Sequence, residues 1–299
     1  MEFGVTTGAK TDAGSRRASM LQQAVTEHIL GLADRAGYGA ALVDVDPRAD
    51  ATVTTWPQFA HTVRAAARGL SRRGLLDNDT VGVLVQDAAS HAVAVHAVRA
   101  AGAAAAPVQP AATAADVAAH LKACRARLLI TSAGLAELAV QAAERSWVRQ
   151  VFAFGEAAGT TPFAALLGAP RHGHHHPGGG PDSLGPNGSA WPAAGAVTEY
   201  LLGQAGLVPA EPGGFTPAGR DGLRSWLTRR DVVIAAAPCG DPNVYTALLD
   251  LALAAGATVV AAAVGQITAA AQAHNGTAAI VPRGTEVPGL PAGRIFTVG

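Results

Sequence analysis

The chain has 299 residues, 49% of them apolar and 15% charged, and its 22 basic and 22 acidic residues balance to a formal net charge of zero. That apolar content is enough for a buried core in one large domain or two ordinary ones, and it excludes disorder throughout. With no basic excess there is no field to drive counterion release from a nucleic-acid backbone, so nucleic acid is not an expected partner.

Cys124 and Cys239 are the only cysteines, far apart and without Cys or His neighbours at ligand spacing. This argues against a disulfide framework or a structural zinc site, and a reducing cytoplasm is the expected compartment. The opening "MEFGVTTGAKTDAGSRRASM" lacks the apolar core of a signal peptide, and no apolar run reaches the ~18 residues of a membrane span. Without export, "NGS" at 187 and "NGT" at 275 are chance glycosylation matches. Lysine occurs only at 10 and 122, the other basic residues being arginine, as GC-rich codon usage produces.

Residues 1–20 are polar and small and read as a disordered tail. The first periodic segment is "MLQQAVTEHILGLADRAG", where Leu21, Val25, Ile29, Leu30 and Leu32 share a helical face and Gly37 closes it. "AALVDV" is a short strand. "TTWPQFAHTVRAAARGLSRRG" is a helix with a Thr cap, Pro57 in its first turn and Gly74 at its end.

A unit then recurs: "DTVGVLVQDAASHAVAVHAVRAAGAAAAPV" (79–108) and "DVVIAAAPCGDPNVYTALLDLALAAGATVVAAA" (231–263). In each, an Asp precedes a β-branched strand, a polar turn follows, an Ala/Leu/Val helix runs to "AAGA", and a second apolar strand emerges. This is a strand–helix–strand crossover between parallel strands. Between the units "TAADVAAHLKACRA" and "LAELAVQAAERS" read as helices, and "RLLITS" and "VRQVFAFG" as strands. The fold class is therefore α/β, with layered, mostly parallel sheets flanked by helices.

From Glu156 onward the pattern stops, leaving Gly and Pro and one apolar run, "FAALL". The expected division is a tail at 1–20, a first α/β subdomain at 21–155, a linker at 156–195 and a second subdomain at 196–299. Within the linker His172, His174, His175 and His176 are close enough to chelate a divalent metal. A solvated flexible tract is the plainer reading, because flanking Gly and Pro supply no rigid second shell.

The segment from Thr55 to Glu156 resembles the front of the adenylate-forming superfamily, the acyl- and aryl-CoA ligases and their relatives. It shares the order of a helix ending in Gly, a strand, a helix ending "AAGA", a Pro-containing turn after "APV", a helix and "ARLLIT". The likeness continues in "DVVIAAAPCGDPNVYTALLDLALAAGATVVAAA" and "ITAAAQAHNGTAAIVP". The resemblance implies the fold of that superfamily's N-terminal subdomains and, for working members, joining a carboxylate to ATP and often passing the acyl group to CoA.

That chemistry needs phosphate donors, a metal and a lysine. The resemblance implies a Ser/Thr/Gly loop ending in Lys, of the pattern "SSGTTGLPKG". Here the matching stretch is Tyr200 to Ala210, in which Gly203 and Gly206 survive around Gln204 and Ala205. From Leu201 to Ala210 every hydroxyl is gone and Pro209 stands where the lysine belongs. These four residues, 203–206, are the candidate cofactor-binding positions in degenerate form. The family's aromatic–aromatic–histidine turn falls on Cys239, Gly240 and Asp241, so Asp241 is the candidate substrate position; the alternative is a plain turn residue in "CGDPN".

The family's adenine-, metal- and ribose-binding stretches and its C-terminal lysine find no match. The expectation is a truncated, catalytically incompetent relative with no catalytic residue, no metal site and no cofactor. It would act as a binding or regulatory module for an acyl or aryl ligand or a protein partner, off the membrane. The alternative is an acid–CoA ligase component using ATP, Mg and CoA with a partner chain supplying the missing half; a third reading is a decaying fragment. Nucleophile-elbow, dinucleotide, zinc-protease and P-loop motifs are absent. His28, His61, His91, His96, His120 and His274 show no paired carboxylate pattern and fit polar faces or satisfied core positions. Trp56, Trp147 and Trp226 are expected to pack.

Overall fold

The computed structural model describes residues 8–45, 51–168, 201 and 227–299, with side chains from residue 18 onward. The first helix, α1 (Gly8–Ala33), begins thirteen residues before Leu21, the first position of the apolar face, inside the expected tail. Its Ala, Arg and Lys residues are good helix formers, so the packed part at Ala24, Val25, Ile29 and Leu30 propagates the helix backwards.

Two sheets follow. The first contains β3 (Thr80–Leu84), β4 (Ala104–Pro107), β5 (Leu128–Ser132), β6 (Gln150–Phe154) and β7 (Thr161–Pro162), in the order β4-β3-β5-β6-β7, all parallel. The second contains β1 (Ala40–Val45), β2 (Thr52–Thr55), β8 (Val232–Ala236), β9 (Thr258–Ala262), β10 (Ala278–Pro282) and β11 (Ile295–Val298), in the order β11-β10-β8-β9-β1-β2. Only β2 runs antiparallel. The chain-order division at 155 and 196 is thus not followed by the sheets: β1 pairs in parallel with β9, Leu42 opposite Val259, and β1 and β2 close the edge of the C-terminal sheet.

The helices are α2 (Trp56–Arg72), α3 (Ala88–Ala100), α4 (Ala114–Ala123), α5 (Ala136–Glu144), the single turn α6 (Ala164–Leu167), α7 (Pro242–Ala254) and α8 (Ile267–Ala273). Local chemistry fixes their starts. Thr55 and Gln58 form a reciprocal capping box ahead of α2, as Thr113 and Asp116 do ahead of α4.

The central core lies between the sheets. It joins α1, α2, α3 and α7 to the inward residues of both, Val81, Val83 and Ile130 on one side and Val233, Val259 and Ile280 on the other. The alternate strand residues face outward into two smaller cores, Leu84 and Leu129 under α4 and α5, and Ile234 and Val260 under α8. Burial on both faces is why the strands read as unbroken apolar runs. Two elements arise inside the expected linker. Thr161 and Pro162 pair with Phe152 and Ala153, and Phe163 and Leu166 enter the central core against α2. Two large apolar side chains three apart are enough to dock a single turn. Trp56 is buried, but Trp147 is 66% exposed and does not pack.

Candidate functional site

The two crossover units are structural repeats. β3–α3–β4 and β8–α7–β9 each contain a 13-residue helix, and each begins at an Asp whose carboxylate accepts a backbone N–H three residues back, Leu76 to Asp79 and Thr228 to Asp231. In each sheet the next crossover passes to the other side of the first strand, β5 beside β3 and β10 beside β8. Topological switch points therefore lie at the carboxyl ends of β3 and β8, the places where open parallel sheets leave a crevice for ligands.

The turn after β8 is two residues longer than that after β3, spanning 237–241 against 85–87. It carries Cys239, Gly240 and Asp241. Gly240 has φ of 57°, and a Cβ there would lie 2.7 Å from the Gly299 nitrogen and 2.8 Å from the Val298 carbonyl carbon. The turn thus presses directly on the end of β11, and only glycine fits. Asp241 is the N-cap of α7, its Oδ1 accepting from Asn243 N at 2.8 Å and Val244 N at 3.3 Å, as Asp87 caps α3 through Ser90 N at 2.6 Å. The turn-residue alternative describes what Asp241 does in the fold. The carboxylate is committed to the start of the helix. Among the described residues no group of three or more His, Cys, Asp or Glu side chains could hold a metal ion. Gly203, Gln204, Ala205 and Gly206 lie outside the described residues, as do His172–His176. Leu201, the described residue of the stretch that matches the loop, is 2% exposed and belongs to the central core.

A second constellation, not anticipated from the sequence, joins the repeats. Arg99 Nη1 on α3 donates to Asp250 Oδ2 on α7 at 2.6 Å, and His96 Nε2 lies 3.3 Å from Asp250 Oδ1. That nitrogen makes no hydrogen bond, while Nδ1, 2.9 Å from Thr26 Oγ1, continues the link to α1. Burial acts to raise the Asp250 carboxyl, but Arg99 and His96 outweigh it and hold it below the ordinary carboxylate range. One turn away, Thr246 Oγ1 donates to Pro242 O at 2.6 Å, so His91 Nε2 donates to that hydroxyl at 2.8 Å. The Tyr245 ring meets His91 edge-on at 5.3 Å, and its hydroxyl donates to Ala236 O at 2.7 Å. His91 is thus a satisfied core residue, whereas His96 Nε2 makes no hydrogen bond, and the carboxylate facing it is 154 positions away in sequence, beyond the reach of any local pattern.

Burial pushes His91 down to about 3, with Arg99 and His96 adding to the shift and Asp250 opposing it. The unfolded chain binds a proton at this ring below the ordinary value of ~6.5, and the folded protein refuses it until about 3. Stability therefore falls as pH drops through that window, by up to ~1.4 kcal/mol per pH unit from this group. Urea unfolding at several pH values between ~4 and ~7 should show that slope in the wild type and a shallower one in His91→Gln. Equal slopes would remove His91 as the source.

Residues 33–165 match the AMP-binding enzyme family model. Over that segment, less than half of the chain, the sequence is similar to the AMP-binding enzymes. Its fold agrees with solved structures of that class. A long-chain-fatty-acid–CoA ligase from Archaeoglobus fulgidus superposes with a TM-score of 0.60 at 14% identity, over 87% of this chain and 51% of that one. A benzoate CoA ligase from Burkholderia xenovorans gives 0.59 at 20% identity, over 91% and 54%. An amide bond synthetase from Marinactinospora thermotolerans gives 0.58 at 17%, over 87% and 48%. The chain spans about half the length of these structures, and at such identities the likeness is one of fold. No curated protein sequence matches. Two of these structures are CoA ligases and one is an amide bond synthetase, so the shared fold leaves the chemistry to be argued from the site residues.

Proposed function

We propose that this adenylate-forming relative binds an acyl or aryl ligand, or a protein partner, without activating it. The observation that carries this reading is the composition of the phosphate-loop position. From Leu201 to Ala210 it offers no hydroxyl and no lysine, and Pro209 lacks a backbone donor. Charge-assisted hydrogen bonds contribute about 1.5–3 kcal/mol each, so losing even two weakens triphosphate binding by roughly two to four powers of ten. Asp241 supports the same reading, since a capping carboxylate stands where the resemblance implies a histidine, and its charge repels an acid substrate. No helix among the described residues is long and apolar enough to cross a membrane, and the two cysteines are free thiols, which together support a cytoplasmic module.

Calorimetric titration with ATP and Mg tests the loop directly. No saturable binding is expected up to about 1 mM nucleotide, and a dissociation constant below about 0.1 mM would overturn the proposal. Binding that emerged only with a co-purifying chain would favour an acid–CoA ligase component over a binding module.

A further inference from the structure

Strands β3, β5 and β6 lie side by side in parallel, so the turns that lead into them, at 76–79, 124–127 and 145–149, share the amino edge of the first sheet. Backbone bonds tie these turns into one row, Arg127 N donating to Thr80 O at 3.1 Å and Arg149 N to Arg127 O at 2.8 Å. Two large apolar side chains stand out of the row. Leu76 is 62% exposed and Trp147 66%, and neither belongs to any of the three cores. They precede strands two spacings, roughly 10 Å, apart.

Four arginines against two aspartates occupy the same three turns, in a chain whose net charge is zero. Arg127 pairs with Asp79 at 3.7 Å, and the Asp77 carboxylate lies over Gly102. Arg125, Arg145 and Arg149 are exposed, and their guanidinium groups make no hydrogen bond or ion pair among the described residues. Arg145 follows the end of α5, where a cation is favoured in any case, but Arg149 lies beyond that reach and Trp147 gains nothing from a helix end. Arg125 has φ of 53°, a conformation that asparagine supplies at 78 and 275, so the backbone alone does not select arginine there.

We propose that this edge rests on an anionic lipid surface, Trp147 and Leu76 entering the headgroup layer and Arg125, Arg145 and Arg149 meeting the lipid phosphates. An indole is stable at that depth with its apolar body inward and its N–H toward water, and arginine stems lie along apolar surface while their heads stay at the phosphates. A soluble anion would engage the arginines and leave both apolar side chains in water. A nucleic-acid strand would find one ring to stack on and, with zero net charge, no long-range field to draw it in. The contact is peripheral, so the lack of an apolar span, on which the expectation of a module off the membrane rested, does not bear on it. Nor does it depend on the reading of the phosphate-loop position.

The test is co-sedimentation of the full chain with vesicles of phosphatidylcholine, alone or with about 30% phosphatidylserine. Saturable binding is expected to the mixed vesicles, weakened at least about five-fold when salt rises from about 20 to 200 mM. Leu76→Ser/Trp147→Ser and Arg125→Gln/Arg149→Gln should each weaken it at least about ten-fold with the urea midpoint unchanged, since all four side chains are exposed. Arg229→Gln/Arg230→Gln, at exposed arginines in the matching turn before β8, should change it less than about two-fold. Absence of binding would overturn the proposal, as would equal binding to phosphatidylcholine alone or an equal loss in the Arg229/Arg230 pair. Displacement by millimolar glycerophosphoserine, beyond that of sodium chloride at matched ionic strength, would assign the edge to a free anion and overturn it too.

Discussion

Replacing Asp250 by alanine is expected to destabilise the protein by about 3–5 kcal/mol, because it strands the Arg99 guanidinium between the sheets without its ion-pair partner. Arg99 is 6% exposed and His96 fully buried. Neither can turn to water, and the Arg99 Nε is already without a hydrogen-bond partner. The network is not thereby a large net source of stability, since burying three ionisable groups has its own desolvation cost. The double variant Arg99→Met/Asp250→Leu, which removes the charges together, should lose no more than about 2 kcal/mol. Urea unfolding of both variants checks the pair. A loss below about 1 kcal/mol for Asp250→Ala would mean that the carboxylate does not hold α3 to α7.

Gly69→Ala is expected to destabilise by about 2 kcal/mol, against the usual sign for a helix interior. In an exposed helix the change gains roughly 1 kcal/mol, because glycine has the greater backbone freedom to lose. Gly69, however, faces α6. A Cβ there would overlap the Leu166 carbonyl oxygen and lie 2.7 Å from its Cα and 2.8 Å from its carbonyl carbon. These are backbone atoms of a turn whose Leu166 and Phe163 are anchored in the core, so relief requires moving α6 as a body, an overpacking cost of about 1–3 kcal/mol or more. The loss should appear as a lower urea midpoint, with weakened protection of residues 161–167 in hydrogen exchange. A stabilised Gly69→Ala would show that α6 does not pack as described.

What was legible in the sequence was local or repeated. The strand–helix–strand units announced themselves through Asp79 and Asp231, the "AAGA" turns and apolar strands, because each signal lies within one crossover. Thr55 and Thr113 marked helix starts for the same reason. What was missed is non-local. Nothing in "AALVDV" says that it pairs with β9, more than two hundred residues on, since parallel pairing leaves no mark on either strand alone. The His96–Asp250 contact was hidden likewise, each residue reading as an isolated polar position within an apolar helix. Phe163 and Leu166 were outweighed by the glycines and prolines around them. Of the candidate site, Asp241 was legible as a turn residue, and its capping of α7 is seen only in the structure. The loop at Gly203–Gly206 is argued from sequence alone.

The most direct test of the account is carboxylate-dependent exchange of pyrophosphate into ATP by the purified chain, with Mg and a panel of fatty and aromatic acids. A loop without hydroxyl or lysine predicts no exchange above the protein-free background with any acid. Exchange that rises with one acid and saturates would contradict it, and would require that Leu201–Ala210 grip a triphosphate by groups other than those the adenylate-forming enzymes use.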